Sequence, residues 1–155
     1  MKKALTLVMV HDQEKILLGL KKRGFGMGRW NGFGGKVERG ETIAQAAMRE
    51  LREEAGIEAV NLRPRGIITF TFEKEESNEL EVNIFTVSEF VGELIETEEM
   101  KPQWFKHSEI PYEDMWADDP YWLPLVLQGK NVKGHFHFDA PGTQVILNNL
   151  IEEYV

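Results

Sequence analysis

A chain of 155 residues with 42% apolar content predicts one domain over residues 1–155, with a core that needs no disulfide or metal staple. The absence of cysteine excludes disulfides, thiol catalysis and cysteine-based zinc sites, and it fits a reducing compartment. A net charge of −8 argues against a long nucleic-acid partner, which needs a basic surface, yet leaves room for a small phosphorylated ligand held by local cations or a metal.

The first apolar run, residues 4–10, follows Lys2 and Lys3. A signal peptide also begins this way, but this run is short, meets no small-residue cleavage site and leads into a charged cluster. It is read as the first strand of a cytoplasmic protein. No run approaches the ~20 apolar residues of a membrane span. Residues 15–20 predict a second strand, across the turn-like His11-Asp12-Gln13-Glu14. Residues 21–36, KKRGFGMGRWNGFGGK, carry glycines at 24, 26, 28, 32, 34 and 35. Such density breaks regular structure and lets backbone approach a ligand. A mobile loop is the plain alternative; Phe25, Trp30 and Asn31 inside it favour a packed, functional one.

Thr42-Ile43-Ala44-Gln45 has the capping-box pattern, and Gly56 fits the left-handed position past a last turn, with Ile57 as the accompanying apolar contact. A helix over 43–55 follows. Residues 67–72 and 80–91 predict strands flanking an acidic turn, 73–79. Residues 103–106 predict a short strand, 121–128 a short helix, 132–138 an alternating strand and 139–142 a turn. In the tail, Ile146, Leu147, Leu150, Ile151 and Tyr154 fit a helical stripe, while a strand paired with 132–138 fits as well. The whole predicts an α/β fold with a mixed sheet, because short connections rule out an all-parallel one.

On a wheel at 100° per residue, Ala44, Met48, Leu51 and Ala55 share one side of the helix, with Ala47 at its edge, as the expected core face. Glu50, Glu53 and Glu54 fall together on a neighbouring arc of about 100°. Like charges four residues apart cost a few tenths of a kcal/mol, and the last turn is the negative end of the helix dipole. One reading is a solvated acidic face paired with Arg49 and Arg52. The other is an oxygen-ligand set for Mg2+ or Mn2+, favoured by the glycine-rich loop and by Glu41 just before the helix.

Gly35, Glu41 and the string Arg49-Glu50-Leu51-Arg52-Glu53-Glu54-Ala55-Gly56-Ile57 match every defined position of the Nudix box. On these residues the chain resembles the Nudix hydrolase family. The resemblance implies an α/β/α sandwich around a mixed sheet, with the Nudix loop–helix–loop, and metal-dependent hydrolysis of a nucleoside diphosphate linked to another group. Beyond the box, LLGLKKRGFGMGRWNGFGGKVERGET, EEMKPQWF and IPYEDMWADDPYW resemble the MutT-type branch that clears oxidised purine nucleoside triphosphates (8-oxo-dGTP, 2-hydroxy-dATP) from the nucleotide pool. That similarity spans nearly the whole chain, departs most at residues 73–79, and implies that the tail is a strand. It implies further that Glu50, Glu53 and Glu54 hold the metal with the Gly34 carbonyl and Glu99, that Arg49 steadies a box glutamate, and that Glu41 caps or orients the loop. Which glutamate is the general base stays open among Glu50, Glu53 and Glu54. By themselves Glu99 and Glu41 read as surface charges.

The base pocket, within a substrate site that also takes in Gly34 and Gly35, is expected from Thr6, Lys21, Phe25, Asn31, Phe70, Phe72, Trp116, Asp118 and Asp119. Phe70 and Phe72 share a face at period two, and core packing explains them equally well. Asn31 can donate to and accept from a base edge in one plane, or stabilise its own loop. Asp118 and Asp119 read either as a helix cap or as neighbouring carboxylates that do not both ionise, one donating and one accepting while Trp116 stacks on the base. Lys21, with Lys22 and Arg23, offers local cations for a triphosphate. The expected partner is a small nucleoside triphosphate bound by a monomer. A different Nudix substrate and a non-catalytic nucleotide-binding module are the rivals.

Overall fold

The computed structural model describes residues 1–75 and 78–153. Its strands are β1 (Lys2–His11), β2 (Lys15–Lys21), β3 (Trp30–Asn31), β4 (Ile57–Ala59), β5 (Arg63–Phe72), β6 (Glu79–Val87), β7 (Phe90–Gly92), β8 (Met100–Lys106), β9 (Asn131–Phe138) and β10 (Val145–Glu153). Its α-helices are α1 (Ile43–Ala55) and α2 (Asp119–Leu127). The large sheet runs β10-β9-β5-β6-β1-β2-β3, with β8 on the other edge of β2, and β4 pairs separately with β7. The β1–β6 and β5–β9 pairs are parallel and the other pairs antiparallel, so the sheet is mixed as expected.

Alternation along the strands sends side chains to two cores, one on each face. On one face Val8, Val10, Leu17, Phe33, Phe85 and Val87 pack with Ala47, Leu51 and Ala55 of α1. On the other, Met9, Ile16, Leu18, Ile68, Val82, Ile84 and Phe136 pack with Trp122, Leu123 and Val126 of α2. This is the α/β/α sandwich. No helix among the described residues is long and apolar enough to cross a membrane.

Helix α1 spans the expected residues because both ends are chemically marked. Thr42 accepts from the Gln45 amide, the Gln45 side chain accepts from the Thr42 amide, and Gly56 closes the helix at φ 77° with its N–H on the Arg52 carbonyl. The core face is rotated from the wheel reading. Ala46 and Glu54 join Ala47, Leu51 and Ala55 inside, while Ala44 is exposed and Met48 half-buried. Ala44 and Met48 line a shallow surface hollow with Gln45 and Arg52, because the helix turns Glu54 inward toward the sheet.

Other boundaries moved for non-local reasons. The expected strand 80–91 breaks at Ser88 and Glu89, whose amides both donate to the Asn61 side chain; β7 then turns away to pair with β4. Helix α2 starts at Asp119, two residues early, with Pro120 in its first turn. Strand β5 extends back to Arg63 and β8 back to Met100. The tail is strand β10, hydrogen-bonded along β9, and not a helix. Tyr154 of the helical stripe, and Glu76 and Ser77 of the expected acidic turn, lie outside the described residues.

Candidate active site

The end of the glycine-rich loop runs back along β1. Val8 and Phe33 exchange backbone hydrogen bonds, Thr6 N–H donates to the Gly35 carbonyl, and Val37 N–H donates to the Ala4 carbonyl. This approach leaves no room for a side chain at Gly34, where a Cβ would lie 1.8 Å from the Thr6 carbonyl oxygen. At Gly35 a Cβ would meet the Glu50 carboxylate at 2.6 Å. The glycines thus bring loop backbone against the last turns of α1.

There Gly34 N–H donates to Glu54 Oε1 at 2.8 Å. Glu54 is 6% exposed, and burial pushes its pKa up to about 8, with the Glu50 charge adding to the rise and the Gly34 bond opposing it. Glu50 is raised too, by burial, although Arg49 pulls it down. Arg49 is the hub of the helix face. Its Nε and Nη2 grip Glu41 at 2.7 and 3.0 Å, its Nη1 reaches Glu50 at 2.8 Å and Glu53 at 3.2 Å, and Nη2 also donates to the Lys36 carbonyl at 3.1 Å. Glu41 in turn accepts from the Glu38 amide, tying the loop to the helix. Its pKa is lowered, first by the Arg49 hydrogen bond. Glu99 lies close enough to raise both Glu50 and Glu54, and it pairs with Arg23 at 3.5 Å and Lys21 at 3.9 Å.

Next to Glu54 opens a cavity of ≈380 Å3. Thr6, Lys21, Phe25, Asn31, Gly34 and Gly35 line it, as do Phe70, Phe72, Trp116, Asp118 and Asp119. All eleven residues expected for the substrate site therefore meet at one cavity, and Glu54 connects it to the acidic face. Glu50, Glu53, Glu99, Arg49 and Glu41 do not line it; Glu41 and Arg49 support the glutamates from behind. Of the three neighbouring cations, only Lys21 faces the cavity. Lys22 is held by Glu96 at 2.6 Å and by the Thr97 carbonyl, and Arg23 by Glu98 and Glu99. The Asn31 oxygen already accepts from the Gly32 amide at 2.8 Å, which fixes the orientation of its amide.

The far end is dry. Asp118 and Asp119 are 3% and 2% exposed. Trp122 Nε1 donates to Asp118 Oδ2 at 2.7 Å, while Asp119 Oδ2 is buried with no hydrogen-bond partner among the described residues. Neither side chain caps α2. Burial lifts Asp118 to about 6 and, together with the Asp118 charge, lifts Asp119 well above the usual carboxylate range. The Asp118 charge works against ionising Asp119, so the two neighbouring carboxyls resist ionising together.

Sequence reasoning missed Arg29 and Phe138. The Arg29 guanidinium lies 4.2 Å from the Trp116 ring centroid, and the Phe25 ring 5.1 Å from the same ring. The Trp116 indole is thus engaged by the loop as well as facing the cavity. Phe138 lines the cavity and stacks with Phe72 at 5.5 Å. Its signal was the alternation of β9, which sends Phe136 and Phe138 to the α2 face.

A loop–helix–loop that packs Glu50 and Glu54 against glycine backbone, with Glu53 held alongside by Arg49, beside a cavity ending in two buried aspartates, fits a hydrolase of phosphorylated compounds by class. The chain belongs to the Nudix family: residues 1–126 match the NUDIX domain. It is 50% identical over 97% of its length to the oxidized purine nucleoside triphosphate hydrolase of Danio rerio, covering 95% of that protein. It is 52% identical over 89% of its length to the mouse (Mus musculus) protein of the same name, covering 88% of it. Among solved structures, a MutT protein from Bacillus halodurans superposes with a TM-score of 0.85 at 30% identity, covering 96% of this chain and 97% of that one. Nudix hydrolases generally use divalent metal ions. Among the described residues no three acidic or histidine side chains gather around one point. The fit to a cation rests instead on two carboxylates, half-buried Glu50 and buried Glu54, both raised first by burial, with the Glu50 charge adding to the rise at Glu54 and Gly34 N–H fixing Glu54. Mg2+ needs only one or two carboxylates, since it keeps waters and bridges to substrate phosphates.

Proposed function

We propose that this protein hydrolyses oxidised purine nucleoside triphosphates, of the 8-oxo-dGTP and 2-hydroxy-dATP kind, to the monophosphate and pyrophosphate, with Mg2+ or Mn2+. The reading is supported by the names of its relatives at about 50% identity, and one observation carries it here: a single cavity joins the buried Glu54 to the buried Asp118–Asp119 pair, whose pKa values burial raises. Glu50, Glu53 and Glu54 would hold the ion with Glu99 and the Gly34 carbonyl nearby, and it would supply charge neutralisation on the phosphates and a water of lowered pKa.

The chain's own residues do the rest. Arg49, locked by Glu41, keeps Glu50 and Glu53 in register. Glu54, fixed by Gly34 N–H at the edge of the cavity, takes the proton of the attacking water. Lys21 meets the phosphate charge. At the other end Asp119 donates through its proton and Asp118 accepts, reading the added keto or hydroxyl edge of the purine, while Asn31 contributes its amide and Trp116, Phe70 and Phe72 present aromatic surface. We place the enzyme in the cytoplasm as a monomer, a reading supported by the absence of cysteine and the acidic charge.

The deciding experiment is a nucleotide panel with and without Mg2+, read as pyrophosphate release. The expected order is 8-oxo-dGTP or 2-hydroxy-dATP well above dGTP and dATP in kcat/KM, all abolished by a chelator. Equal rates on oxidised and ordinary purines, or preference for a nucleotide sugar, would overturn the substrate. Binding without release would leave a nucleotide-binding module.

A further inference from the structure

Arg29 lines the substrate cavity, and the reaction proposed above gives it no role. The pairing of β2 with β3 places it. Leu20 stands opposite Trp30, and the register continues one step further, where Lys21 N–H donates to the Arg29 carbonyl at 3.0 Å. Residues directly opposite each other, and residues two apart on one strand, share a face. Arg29 therefore points the same way as Lys21 and Asn31, and all three line the cavity. The nearby cations Lys22 and Arg23 are paired with Glu96, Glu98 and Glu99. Among the described residues no carboxylate pairs with Arg29; its guanidinium meets the Trp116 ring instead, 4.2 Å from the centroid.

The rest of the loop closes on the same indole. The Phe25 ring, 74% exposed, lies 5.1 Å from it at a tilt of 30°. Gly26, at φ 84°, passes so near that a Cβ there would lie 3.4 Å from Trp116 Cζ2. Short backbone bonds hold this part of the loop: Met27 N–H donates to the Gly24 carbonyl, Gly28 N–H to the Lys21 carbonyl and Arg29 N–H to the Gly26 carbonyl. Across the cavity Phe138 meets the indole edge-on at 6.1 Å. The Trp116 N–H makes no hydrogen bond among the described residues, so the orientation of the half-buried ring rests on these contacts.

We propose that Arg29 is a positioning residue for base recognition: its guanidinium, packed on Trp116, fixes the angle at which that indole meets the purine. This rests on the stacking role proposed for Trp116 above. Stacking of aromatic faces depends on their offset and tilt, and a ring already held gives up less freedom when a base arrives. Arginine suits the position because its planar cation stacks on an aromatic face, whereas a lysine ammonium is a more strongly hydrated point charge. Arg29 acts through Trp116, while Lys21 on the same face meets the phosphates.

The test compares Arg29→Met, which keeps an unbranched side chain without charge, and Arg29→Lys with the wild type. It uses whichever nucleotide of the panel the wild type hydrolyses best; a best substrate other than an oxidised purine would overturn the substrate reading and still score Arg29. In Arg29→Met, KM should rise about fivefold with kcat held, the size of a half-buried cation–π contact, and Arg29→Lys should recover part of the loss. The matching nucleoside, which carries no phosphate, should weaken by the same factor as a competitive inhibitor. In the substrate-free wild type the Arg29 Nε–H proton should resonate upfield under the Trp116 ring current and return to its ordinary position in Trp116→Leu, a readout that needs no folded Arg29 variant. An Arg29 resonance at its ordinary position in the wild type would overturn the contact. Unchanged KM or tighter binding in Arg29→Met would overturn the role, and a loss on the nucleotide with the nucleoside unaffected would assign Arg29 to the phosphates instead.

Discussion

The two ends of the cavity both bury carboxylates, and they treat the charge in opposite ways. At the α1 end the glutamates share a cationic frame. Arg49 touches Glu41, Glu50 and Glu53, Gly34 N–H fixes Glu54, and Lys21 stands across the cavity. At the α2 end no cation among the described residues forms an ion pair with Asp118 or Asp119; their surroundings are Trp122, Trp116 and Tyr112, whose own pKa is raised by burial and then by Asp119. A buried carboxylate is tolerated either because something positive compensates it or because it keeps its proton. The first solution suits a site for a cation and phosphates. The second suits recognition of a neutral purine edge, where a carboxylic acid donates a hydrogen bond that a carboxylate cannot.

The sharpest way to break this contrast is Glu54→Gln. Loss of a general base typically costs about 10²–10⁴-fold in kcat, and a steady-state assay of pyrophosphate release checks it. The same change should stabilise the metal-free protein at high pH. The folded pKa of Glu54, about 8, lies above the ordinary 4.5, so the native state holds a proton that the unfolded chain has released. Stability from this group is therefore intact below pH 4.5, falls as pH rises to about 8, and is flat above; the shift amounts to a few kcal/mol. Thermal melts in chelator should show the variant overtaking the wild type as pH climbs from 5 to 8, and added Mg2+ should close the gap by restoring the wild type alone. A variant no more stable than wild type at pH 8 would mean that Glu54 is already compensated without metal.

Asp119→Asn probes the other end with a smaller expected effect. Asn closely matches a protonated Asp in shape, so the fold should hold, with melting temperature nearly unchanged at pH 7. A mispaired polar contact in a buried site costs about 1–3 kcal/mol, so the kcat/KM ratio of 8-oxo-dGTP to dGTP should change by about 10–100-fold. Equal loss on both substrates would make Asp119 a structural residue and dissolve the contrast between the two ends.

How much of this was legible in the residues follows the same divide. The α1 end is written locally: Thr42 and Gln45 open the helix, Gly56 closes it, and the spacing of Glu50, Glu53 and Glu54 places them on one arc. Even there the wheel put Ala44 and Met48 inside in place of Ala46 and Glu54, because burial depends on the sheet that the helix meets. The α2 end is non-local. Trp122 donates to Asp118 from only four residues on, but nothing nearby in sequence tells a cap from a buried acid, because the cavity wall beside the pair is completed by Phe138 arriving from β9. The tail carried both a helical stripe and a strand pattern, and hydrogen bonding along β9 decided between them. The break in β6 needed the side chain of Asn61, 27 residues upstream of Ser88.

The smallest effect sharpens what the cationic frame contributes. Arg49 does not line the cavity, so its part is to position the glutamates. Arg49→Lys keeps the charge but loses the fork that grips both oxygens of Glu41 while reaching Glu50. The hydrogen bonds that chiefly lower Glu41 and relieve Glu50 weaken with the fork, and only the smaller effect of the charge stays. Removing a partner that orients ligands typically costs about 10–100-fold, and because a cation remains we expect the lower end, about tenfold. The loss should fall on kcat at saturating Mg2+, with KM for the nucleotide held, since the base end is untouched. It should also shift the Mg2+ dependence to higher concentration. If kcat is unchanged and only the melting temperature drops, Arg49 serves the helix and not the site, and the two ends of the cavity differ in burial alone.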